Sequence, residues 1–530
     1  MTAVAAPPRR AGRREWIGLT VLALACLMYV MDLTVLHLAV PSISEDLQPT
    51  STQLLWIIDI YGFMVAGFLV TMGTLGDRIG RRKLLLIGAA AFGGVSILAA
   101  FSTSAEMLIL NRALLGIAGA TLAPSTLSLI FSMFEDPGQR ARAIAVWISA
   151  FSAGGAIGPV VGGILLEQFW WGSVFLIALP VMVALLILGP IVLPEYKDPD
   201  AGRLDLFSAA LSLVAVLGVI FGLKQIAQDG FGSMPLATIA VGLIAGVVFV
   251  RRQFRLPDPM LDLQLFKIPT FSSALVVNFL SIFVVVGYFL FVAQYLQLVL
   301  GLTPLAAGLW GIPSSIAFVV GSNLAPRIIR YVRPAYLMGG GLLVGAAGLF
   351  LLAQATATDG LAAVVAASVI ISLGLAPVFG LTTELIVGSA PIERAGAASG
   401  VSETAAELGG ALGISILGSI GVAVYRSEIA AALPPQVPTD IADVVRDTLG
   451  AALAAAAQLP GDLGTTVATI ANEAFVHGMQ IAAIIGSVVA VGAAVLTLVR
   501  LRGVPRTSAA DEPATEHAHP STTLEPDAAS

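Results

Sequence analysis

Fourteen apolar runs of roughly 20 residues follow one another along this chain. A helix of that length, at ~1.5 Å rise per residue, crosses the ~30 Å hydrocarbon core of a bilayer. No soluble domain would tolerate the composition, since 57% of the 530 residues are hydrophobic and only 11% are charged. The pattern therefore predicts an all-α polytopic membrane protein with fourteen transmembrane helices. The spans lie at about residues 16–40, 53–72, 84–102, 107–131, 143–166, 173–193, 204–222, 236–250, 270–293, 305–325, 335–353, 361–387, 396–425 and 475–499.

The basic residues indicate how these spans are oriented. An even number of spans puts both termini on one side of the membrane. If that side is the cytoplasm, all but four of the 27 Lys and Arg residues lie in inner loops or terminal flanks. The exceptions are Lys224, Arg426, Arg446 and the intramembrane Arg112. This asymmetry follows the positive-inside rule and predicts a multi-pass protein of the plasma (cell inner) membrane with both termini cytoplasmic.

Two short repeats indicate two related halves. GTLGDRIGRR, from Gly73, aligns with SNLAPRIIRY, from Ser322, and GGAIG, from Gly154, returns as GGALG, from Gly409. Both pairs are displaced by eight spans, as expected if two six-helix bundles enclose two inserted helices. The predicted segments are an N-terminus (1–15), a first bundle (16–193), two inserted helices with their loops (194–269), a second bundle (270–499) and a tail (500–530).

Two segments differ from the spans. Residues 426–474 form an Ala-rich outer segment that is either a helical hairpin or a tolerated long loop. The tail from about Thr507 contains mainly Ala, Pro, Ser, Thr and acidic residues, and we expect it to be disordered.

Charged residues within the spans of the first bundle are candidates for function. Asp32 lies about midway through span 1, and Arg112 lies within span 4. A charge at that depth is costly, so Arg112 needs a partner, for which Asp32 and Asp59 are the candidates. A carboxylate subject to both burial and a neighbouring cation can bind and release protons. Alternatively, Asp32 is a packing residue satisfied by Tyr29 or Thr34.

Aromatic residues accompany Asp59 in span 2. Trp56 lies one turn away on roughly the same helix face, and Tyr61 is nearby. A carboxylate beside aromatic rings suits a lipophilic cation, because Coulomb attraction and cation–π contact add. Trp56, Tyr61 and Tyr29 are therefore candidate aromatic residues of a substrate cavity. The alternative is an interfacial aromatic belt with one snorkelling acid.

Glu403 and Glu407 stand four residues apart in span 13, on one helix face. Like charges at that spacing repel, so burial should leave at least one carboxyl protonated part of the time. A proton carrier or a cation site needs that property. The alternative is a polar packing patch near the membrane edge.

Small residues recur every four positions in span 5, within AFSAGGAIGPVVGG. Gly154, Gly158 and Gly162 form a stripe against which a neighbouring backbone can pack. Pro159 removes a backbone donor and should bend the helix. Tight structural packing alone would also explain such a stripe.

The loop GTLGDRIGRRK after span 2 combines glycines with charges. Gly73 and Gly80, with Gly76, would allow a tight reversal, and Asp77 is placed to interact with a helix N-terminus. Arg78 and Arg81 also fit a simple positive-inside signal.

Together these motifs resemble the fourteen-span drug:proton antiporters of the major facilitator superfamily across essentially the whole chain. The resemblance rests on MDLTVLHLAVP, GTLGDRIGRRK, LNRALLGIAGA, GGAIGPVVGG and WWGSVFLIALP, and WIIDIYGF and SETAAELGG look most like the multidrug and quaternary-ammonium pumps. It implies the major facilitator fold, a central cavity and alternating access. It also implies proton-driven export of lipophilic, mainly cationic compounds such as quaternary ammonium compounds, dyes and fluoroquinolones.

The same resemblance assigns roles to individual residues. Asp32, Asp59, Glu403 and Glu407 match acidic positions tied to protons or cationic drugs, and Arg112 matches an arginine linked to coupling. Two departures stand out. WWGSVFLIALP lacks the usual arginine and asparagine, and span 10 contains no carboxylate, whereas some pumps of divalent cations have one there.

The expected partners are small lipophilic cations, protons and membrane lipids, with no nucleic acid, in a protein expected to be a monomer. The proton gradient supplies the energy and no cofactor is expected. One cysteine, Cys26, and four histidines suggest no metal site. No nucleophile or folded soluble domain suggests an enzyme, so a membrane enzyme or sensor is a remote alternative. A nearer alternative is a narrow-specificity exporter of one endogenous metabolite, antibiotic or lipid.

Overall fold

The computed structural model describes residues 10–49, 51–197, 205–229, 232–256, 259, 261, 263–358, 360–391 and 395–505. Fourteen helices in these ranges are long and apolar enough to cross a bilayer, which confirms the predicted all-α membrane fold. Residues 1–9 and 506–530, with most of the tail predicted to be disordered, lie outside the described residues.

The helices match the predicted spans in order. Spans 1 to 7 are Arg13–Leu47, Ser51–Ile79, Arg81–Ala100, Ala105–Gly119 with Leu122–Met133, Pro137–Gln168, Ser173–Leu176 with Ala178–Val192, and Leu206–Asp229. Spans 8 to 14 are Ser233–Gln253, Pro269–Gln294 continued by the π-turn Tyr295–Val299, Pro304–Ile328, Pro334–Leu352, Leu361–Gly388, Ala395–Ala432 and Asp462–Arg500, with a 3-10 turn at Leu265–Lys267 before span 9.

Local sequence explains where several helices begin. Ser104, Asp136 and Thr303 precede spans 4, 5 and 10, and each side chain accepts a hydrogen bond from a backbone N–H of the first turn. Spans 5, 9, 10 and 11 have proline in the first turn, where its missing N–H leaves no intrahelical bond unmade.

The segment 426–474 is helical for most of its length. Spans 13 and 14 extend beyond the predicted ends, and Thr439–Asp447 and Leu449–Ala456 form two short helices between them. The Tyr425 hydroxyl donates to the backbone oxygen of Val445 at 2.9 Å. Buried Val445 and Leu449 add an apolar anchor.

The helices pack as two bundles with an added pair. Spans 1 to 6 pack among themselves, as do spans 9 to 14, and the bundles meet where span 2 contacts span 13 and span 5 contacts span 10. Spans 7 and 8 approach closely, since a Cβ added at Gly218 would lie 3.0 Å from Gly242 Cα. Span 7 also contacts spans 2 and 13, so the inserted pair covers one of the two seams between the bundles.

The repeated glycine motif has equivalent positions in both bundles. A Cβ at Gly154 would lie 2.7 Å from the backbone oxygen of Leu27, where span 5 packs on span 1. A Cβ at Gly409 would lie 2.7 Å from the backbone oxygen of Phe279, where span 13 packs on span 9. The displacement of eight spans read from the sequence therefore reflects a structural repeat.

The first and last parts of the described chain, at Ala11 and Arg502, lie at the same end of the molecule, which we call the basic end because the arginine-rich loops are there. The Ala11 amide donates to Gln139 Oε1 at 2.8 Å, at the start of span 5. Arg333 Nη1 donates to the backbone oxygen of Arg502 at 3.3 Å, just after span 14.

Candidate functional site

Arg112 and Asp32 form an ion pair inside the first bundle. The Arg112 side chain is 0% exposed and that of Asp32 is 9% exposed. Arg112 Nε also donates to the backbone oxygen of Ile57 at 3.2 Å. The guanidinium thus joins spans 1, 2 and 4, and the carboxylate and the carbonyl together stabilise a cation that burial alone would destabilise. The side chain of the other proposed partner, Asp59, lies outside the described residues.

Two tyrosines extend this cluster toward the second bundle. The Tyr61 ring lies 4.6 Å from Arg112 Cζ, within cation–π range. The Tyr61 hydroxyl donates to the backbone oxygen of Tyr29 at 3.4 Å, and the Tyr29 hydroxyl donates to Glu407 Oε1 at 3.4 Å. A continuous series of contacts therefore runs from Asp32 in span 1 to Glu407 in span 13. We call these five residues, Asp32, Arg112, Tyr61, Tyr29 and Glu407, the tyrosine chain.

A cavity of about 900 Å³ lies between the bundles and is formed mainly by spans 9, 10 and 12. Among the described residues that line it, Glu403 is the one with a formal charge. The aromatic residues of the lining are Trp147, Tyr288, Phe289, Trp310, Phe318 and Phe379, and polar ones include Thr34, Asn278, Gln297, Ser314, Ser315, Ser368, Ser372, Thr383 and Ser402. Apolar walls with few polar groups are typical of sites for drug-sized molecules.

The cavity reaches the end of the bundle opposite to the basic end. In span 9 its lining extends from Asn278 to Gln297, whereas the helix begins at Pro269, so along this helix the cavity floor lies ~13 Å from the basic end at ~1.5 Å per residue. Below this floor the bundles are in contact. Asn323 Nδ2 donates to Ser149 Oγ at 3.0 Å, and a Cβ at Gly400 would lie 3.0 Å from the backbone oxygen of Leu69.

The structure separates the two glutamates that the sequence placed on one face. Four residues turn a helix by about 400°, which leaves an offset of about 40°. Glu403 lines the cavity, whereas Glu407 is not among the described lining residues and accepts the bond from Tyr29.

None of the three expected cavity aromatics, Trp56, Tyr61 and Tyr29, is among the described residues that line this cavity. Trp56 stacks on Phe221 of span 7 at a centroid distance of 5.7 Å. Tyr29 and Tyr61 are 4% and 0% exposed within the tyrosine chain. The physical reason is that span 7 covers this face of span 2, so Trp56 packs against protein.

The glycine stripe of span 5 packs on span 1. Added Cβ atoms at Gly154 and Gly162 would lie 2.7 and 2.8 Å from the nearest atoms of Leu27 and Val35, and one at Gly158 would clash with the Thr34 hydroxyl. The neighbouring Gly155 lines the cavity, and a Cβ added there would meet no atom of another element within 4 Å. The helix remains continuous through Pro159, whose side chain lies outside the described residues.

The reversal after span 2 needs only one of the predicted glycines. Gly73 and Gly76 lie within the helix Ser51–Ile79, whereas Gly80 has φ 112° in the break before span 3. A Cβ at Gly80 would also lie 2.6 Å from Glu195 Oε1, but that flexible side chain can move, so it is the backbone conformation that requires glycine.

The charges of this loop form local contacts. Asp77 pairs with the buried Arg81 one turn later, and the Arg81 amide donates to the backbone oxygen of Tyr196 at 2.9 Å. Arg78, half-buried, lies in the last turn of the same helix as Asp77. The contact expected for Asp77 at a helix N-terminus stays a prediction.

The cavity residues of spans 9, 10 and 12 were missed by sequence reasoning. A signal existed, because polar residues such as Asn278, Ser314 and Ser315 interrupt otherwise apolar spans. Intramembrane charges carry the larger energetic cost, but hydroxyl and amide groups also need partners or water in a membrane.

Fourteen membrane-length helices in two bundles around a cavity define a multi-pass membrane protein. A family model described as "Major Facilitator Superfamily" matches residues 22–414. The chain belongs to that family and is therefore a transporter, not an enzyme.

Two proteins with similar sequences and one solved structure with a similar fold support this assignment. The chain is 43% identical over 493 residues to the multidrug efflux pump LfrA of Mycolicibacterium smegmatis, covering 93% of this chain and 97% of that protein. It is 33% identical to the methyl viologen resistance protein SmvA of Salmonella typhimurium, covering 88% of this chain and 94% of that protein. The crystal structure of the human organic anion transporter MFSD10 shares the fold, with a TM-score of 0.61 at 16% identity. The match covers 91% of this chain and 99% of that structure.

Proposed function

We propose that this protein is a proton-coupled multidrug antiporter that exports lipophilic, mainly cationic compounds. The observation that carries the proposal is the pair of glutamates on span 13. Glu403 is the charged residue of the cavity lining, and one turn away Glu407 joins the tyrosine chain to the Arg112–Asp32 pair. A cation site and a group of buried titratable residues thus share one helix, so their charges interact.

Drug export is supported by the names of similar proteins, a multidrug efflux pump and a methyl viologen resistance protein. The cavity is consistent with it. Aromatic rings such as Tyr288, Trp310 and Phe379 offer cation–π and apolar contact, and Glu403 offers a counter-charge.

The basic end is the cytoplasmic end in this proposal, by the positive-inside rule, in a monomeric plasma-membrane protein that needs no cofactor. The cavity then faces outward in the present conformation. Outside protons neutralise Glu403, which releases the cation, and the bundles rock to expose the site to the cytoplasm. There a new cation displaces the proton, and the exchange repeats.

The proton gradient supplies the free energy for this exchange. Each unit of pH difference contributes ~1.4 kcal/mol per proton, and the membrane potential contributes ~2.3 kcal/mol per net charge per 100 mV. Exchange of one proton for a monovalent cation uses only the pH difference, whereas exchange of two protons also uses the potential.

The test is ethidium uptake into inverted vesicles that contain the purified protein, with an imposed pH gradient. We expect gradient-dependent uptake by the wild type, lost in Asp32→Asn and Glu407→Gln and retained in the control Asp443→Asn, which alters an exposed residue of the outer hairpin. Absence of uptake by a folded wild type would reject the polyspecific pump. It would favour the narrow-specificity exporter, whose substrate the hydroxyl and amide groups of the cavity would select.

A further inference from the structure

Tyr29 joins the two bundles within the tyrosine chain. It belongs to span 1, its backbone oxygen accepts the Tyr61 hydroxyl, and its own hydroxyl reaches Glu407 in span 13. Its side chain is 4% exposed, and it is not among the described residues lining the cavity. Tyr29 therefore contacts the charged cluster of one bundle and the carboxyl group of the other without occupying the substrate space.

We infer that Tyr29 is a positioning residue that couples the protonation of the two bundles. Its hydrogen bond across the seam holds span 13 in register with span 1 while Glu407 is ionised and releases it when Glu407 is protonated. The inference rests on the proposed function, because it concerns how the proposed proton exchange is tied to movement of the bundles.

The two hydroxyl hydrogen bonds described for the tyrosine chain do not by themselves form a proton wire. The Tyr61 hydroxyl donates to the Tyr29 carbonyl oxygen, not to the Tyr29 hydroxyl. A carbonyl oxygen carries no proton to pass on, so no hydrogen-bonded relay continues from Tyr61 to Glu407 along these contacts. The contacts of the tyrosine chain therefore link the positions of spans 1, 2, 4 and 13.

Protonation can weaken the contacts at both ends of the tyrosine chain, at Glu407 and at Asp32. A hydrogen bond to an ionised carboxylate is shorter and about twice as strong as one between neutral groups, so protonation of Glu407 weakens the link from Tyr29. Protonation of Asp32 removes the charge that holds Arg112, whose guanidinium lies against Tyr61. The titratable groups that act on Tyr29 are Glu407, Tyr61 and Glu403. Asp32, Arg112 and Glu407 act in turn on Tyr61.

The test compares Tyr29→Phe with the matched control Tyr425→Phe. Both substitutions keep a buried ring and remove one hydroxyl hydrogen bond, but Tyr425 lies at the outer hairpin. Three quantities are measured in vesicles and in detergent: ethidium affinity, ethidium flux down its own gradient, and accumulation driven by a pH gradient as a function of pH.

For Tyr29→Phe we expect affinity within about twofold of wild type, retained downhill flux, at least about a tenfold loss of pH-driven accumulation, and a flattened pH profile. Tyr61→Phe, which breaks the next bond of the chain, should give the same pattern, and the double variant should be no worse than either single one. Tyr425→Phe should resemble the wild type in all three measurements.

Two results would overturn the inference. One is normal pH-driven accumulation by Tyr29→Phe. The other is an equal loss of affinity, downhill flux and accumulation, which would mean a structural or substrate-binding role. If the wild type transports ethidium without any response to the pH gradient, the proposed proton coupling fails instead, and the two failures are distinguishable.

Discussion

Glu403 and Glu407 lie one helical turn apart on span 13, yet they face different surroundings. Glu403 lines the cavity of about 900 Å³, and Glu407 accepts a hydrogen bond from Tyr29 of the opposite bundle. The two carboxyl groups are close enough to repel when both are ionised, because charges in a low-dielectric interior interact strongly. Binding of a cation beside Glu403 therefore favours ionisation of Glu407, and this links substrate to protons through one helix.

The first prediction is that Glu403 and Glu407 contribute differently to the affinity for substrate. Glu403→Gln removes the charge of the cavity lining, so affinity for a monovalent lipophilic cation should fall at least about tenfold, while Glu407→Gln should change it less than about threefold. Fluorescence titration of ethidium with the purified protein measures both. Glu428→Gln, on an exposed part of span 13, serves as control. Equal losses of affinity in the two variants would contradict the separation.

The second prediction concerns the buried ion pair. Arg112→Gln leaves the Asp32 carboxyl group without its cation, and breaking a buried pair typically costs ~3–5 kcal/mol of unfolding free energy. Asp32→Asn similarly leaves the guanidinium unpaired. The double variant Asp32→Asn/Arg112→Gln removes both charges, so it should be more stable than the sum of the single effects predicts.

Thermal unfolding in detergent of the four proteins measures this coupling. Arg446→Gln, which affects an exposed pair with Asp443, should leave the unfolding midpoint unchanged. Additive effects of the two single substitutions would show that Asp32 and Arg112 do not stabilise each other.

Much of the fold could be predicted from the sequence because the membrane imposes strong local rules. Span length and loop charge need only neighbouring residues, and the repeats at Gly154 and Gly409 revealed the relation between the bundles. Burial of Arg112 was predictable in the same way, since an intramembrane arginine needs a partner.

The location of the cavity could not be predicted, because it depends on which helices meet. Trp56 has the sequence context of a binding residue, but the inserted span 7 covers it with Phe221. Conversely, Asn278 and Ser314 look like isolated polar residues and become lining residues only when spans 9 and 10 are packed together. Contacts between residues that are far apart in the sequence are not reflected in the spacing of neighbouring residues.

The third prediction concerns acid stability at the basic end of the inserted pair. Asp205 precedes span 7 and accepts a hydrogen bond from Arg252 Nε at 2.8 Å and one from the Ser208 hydroxyl at 2.7 Å. The bond from Arg252, with that from Ser208, lowers the pKa of the Asp205 carboxyl group from 3.8 to about 2. Because the folded pKa is depressed, the stabilisation is present above the unfolded value and is lost as pH falls from about 4 to about 2.

The measurement is the unfolding midpoint of wild type and Asp205→Asn as a function of pH in an acid-stable detergent. The difference between them should be largest near pH 6 and should shrink below pH ~4, because the wild-type carboxyl group becomes protonated there. A difference that stays constant down to pH ~2 would show that the pair contributes no ionic stabilisation.

The fourth prediction uses two adjacent glycines of span 5 that differ in surroundings. A methyl group at Gly154 would lie 2.7 Å from the backbone oxygen of Leu27, which cannot move without shifting span 1, whereas one at Gly155 would meet no atom within 4 Å. Gly154→Ala should therefore destabilise the protein by ~1–3 kcal/mol, and Gly155→Ala should not. Unfolding midpoints in detergent compare the pair.

The second bundle provides an independent check of the same argument. A methyl group at Gly409 would lie 2.7 Å from the backbone oxygen of Phe279, so Gly409→Ala should lower the unfolding midpoint about as much as Gly154→Ala. If Gly154→Ala and Gly155→Ala are equally stable, close packing does not explain the stripe. A loss of transport without a loss of stability in Gly154→Ala and Gly409→Ala would instead indicate that these contacts loosen and re-form as the bundles move, because a methyl group would then obstruct only one of the two conformations.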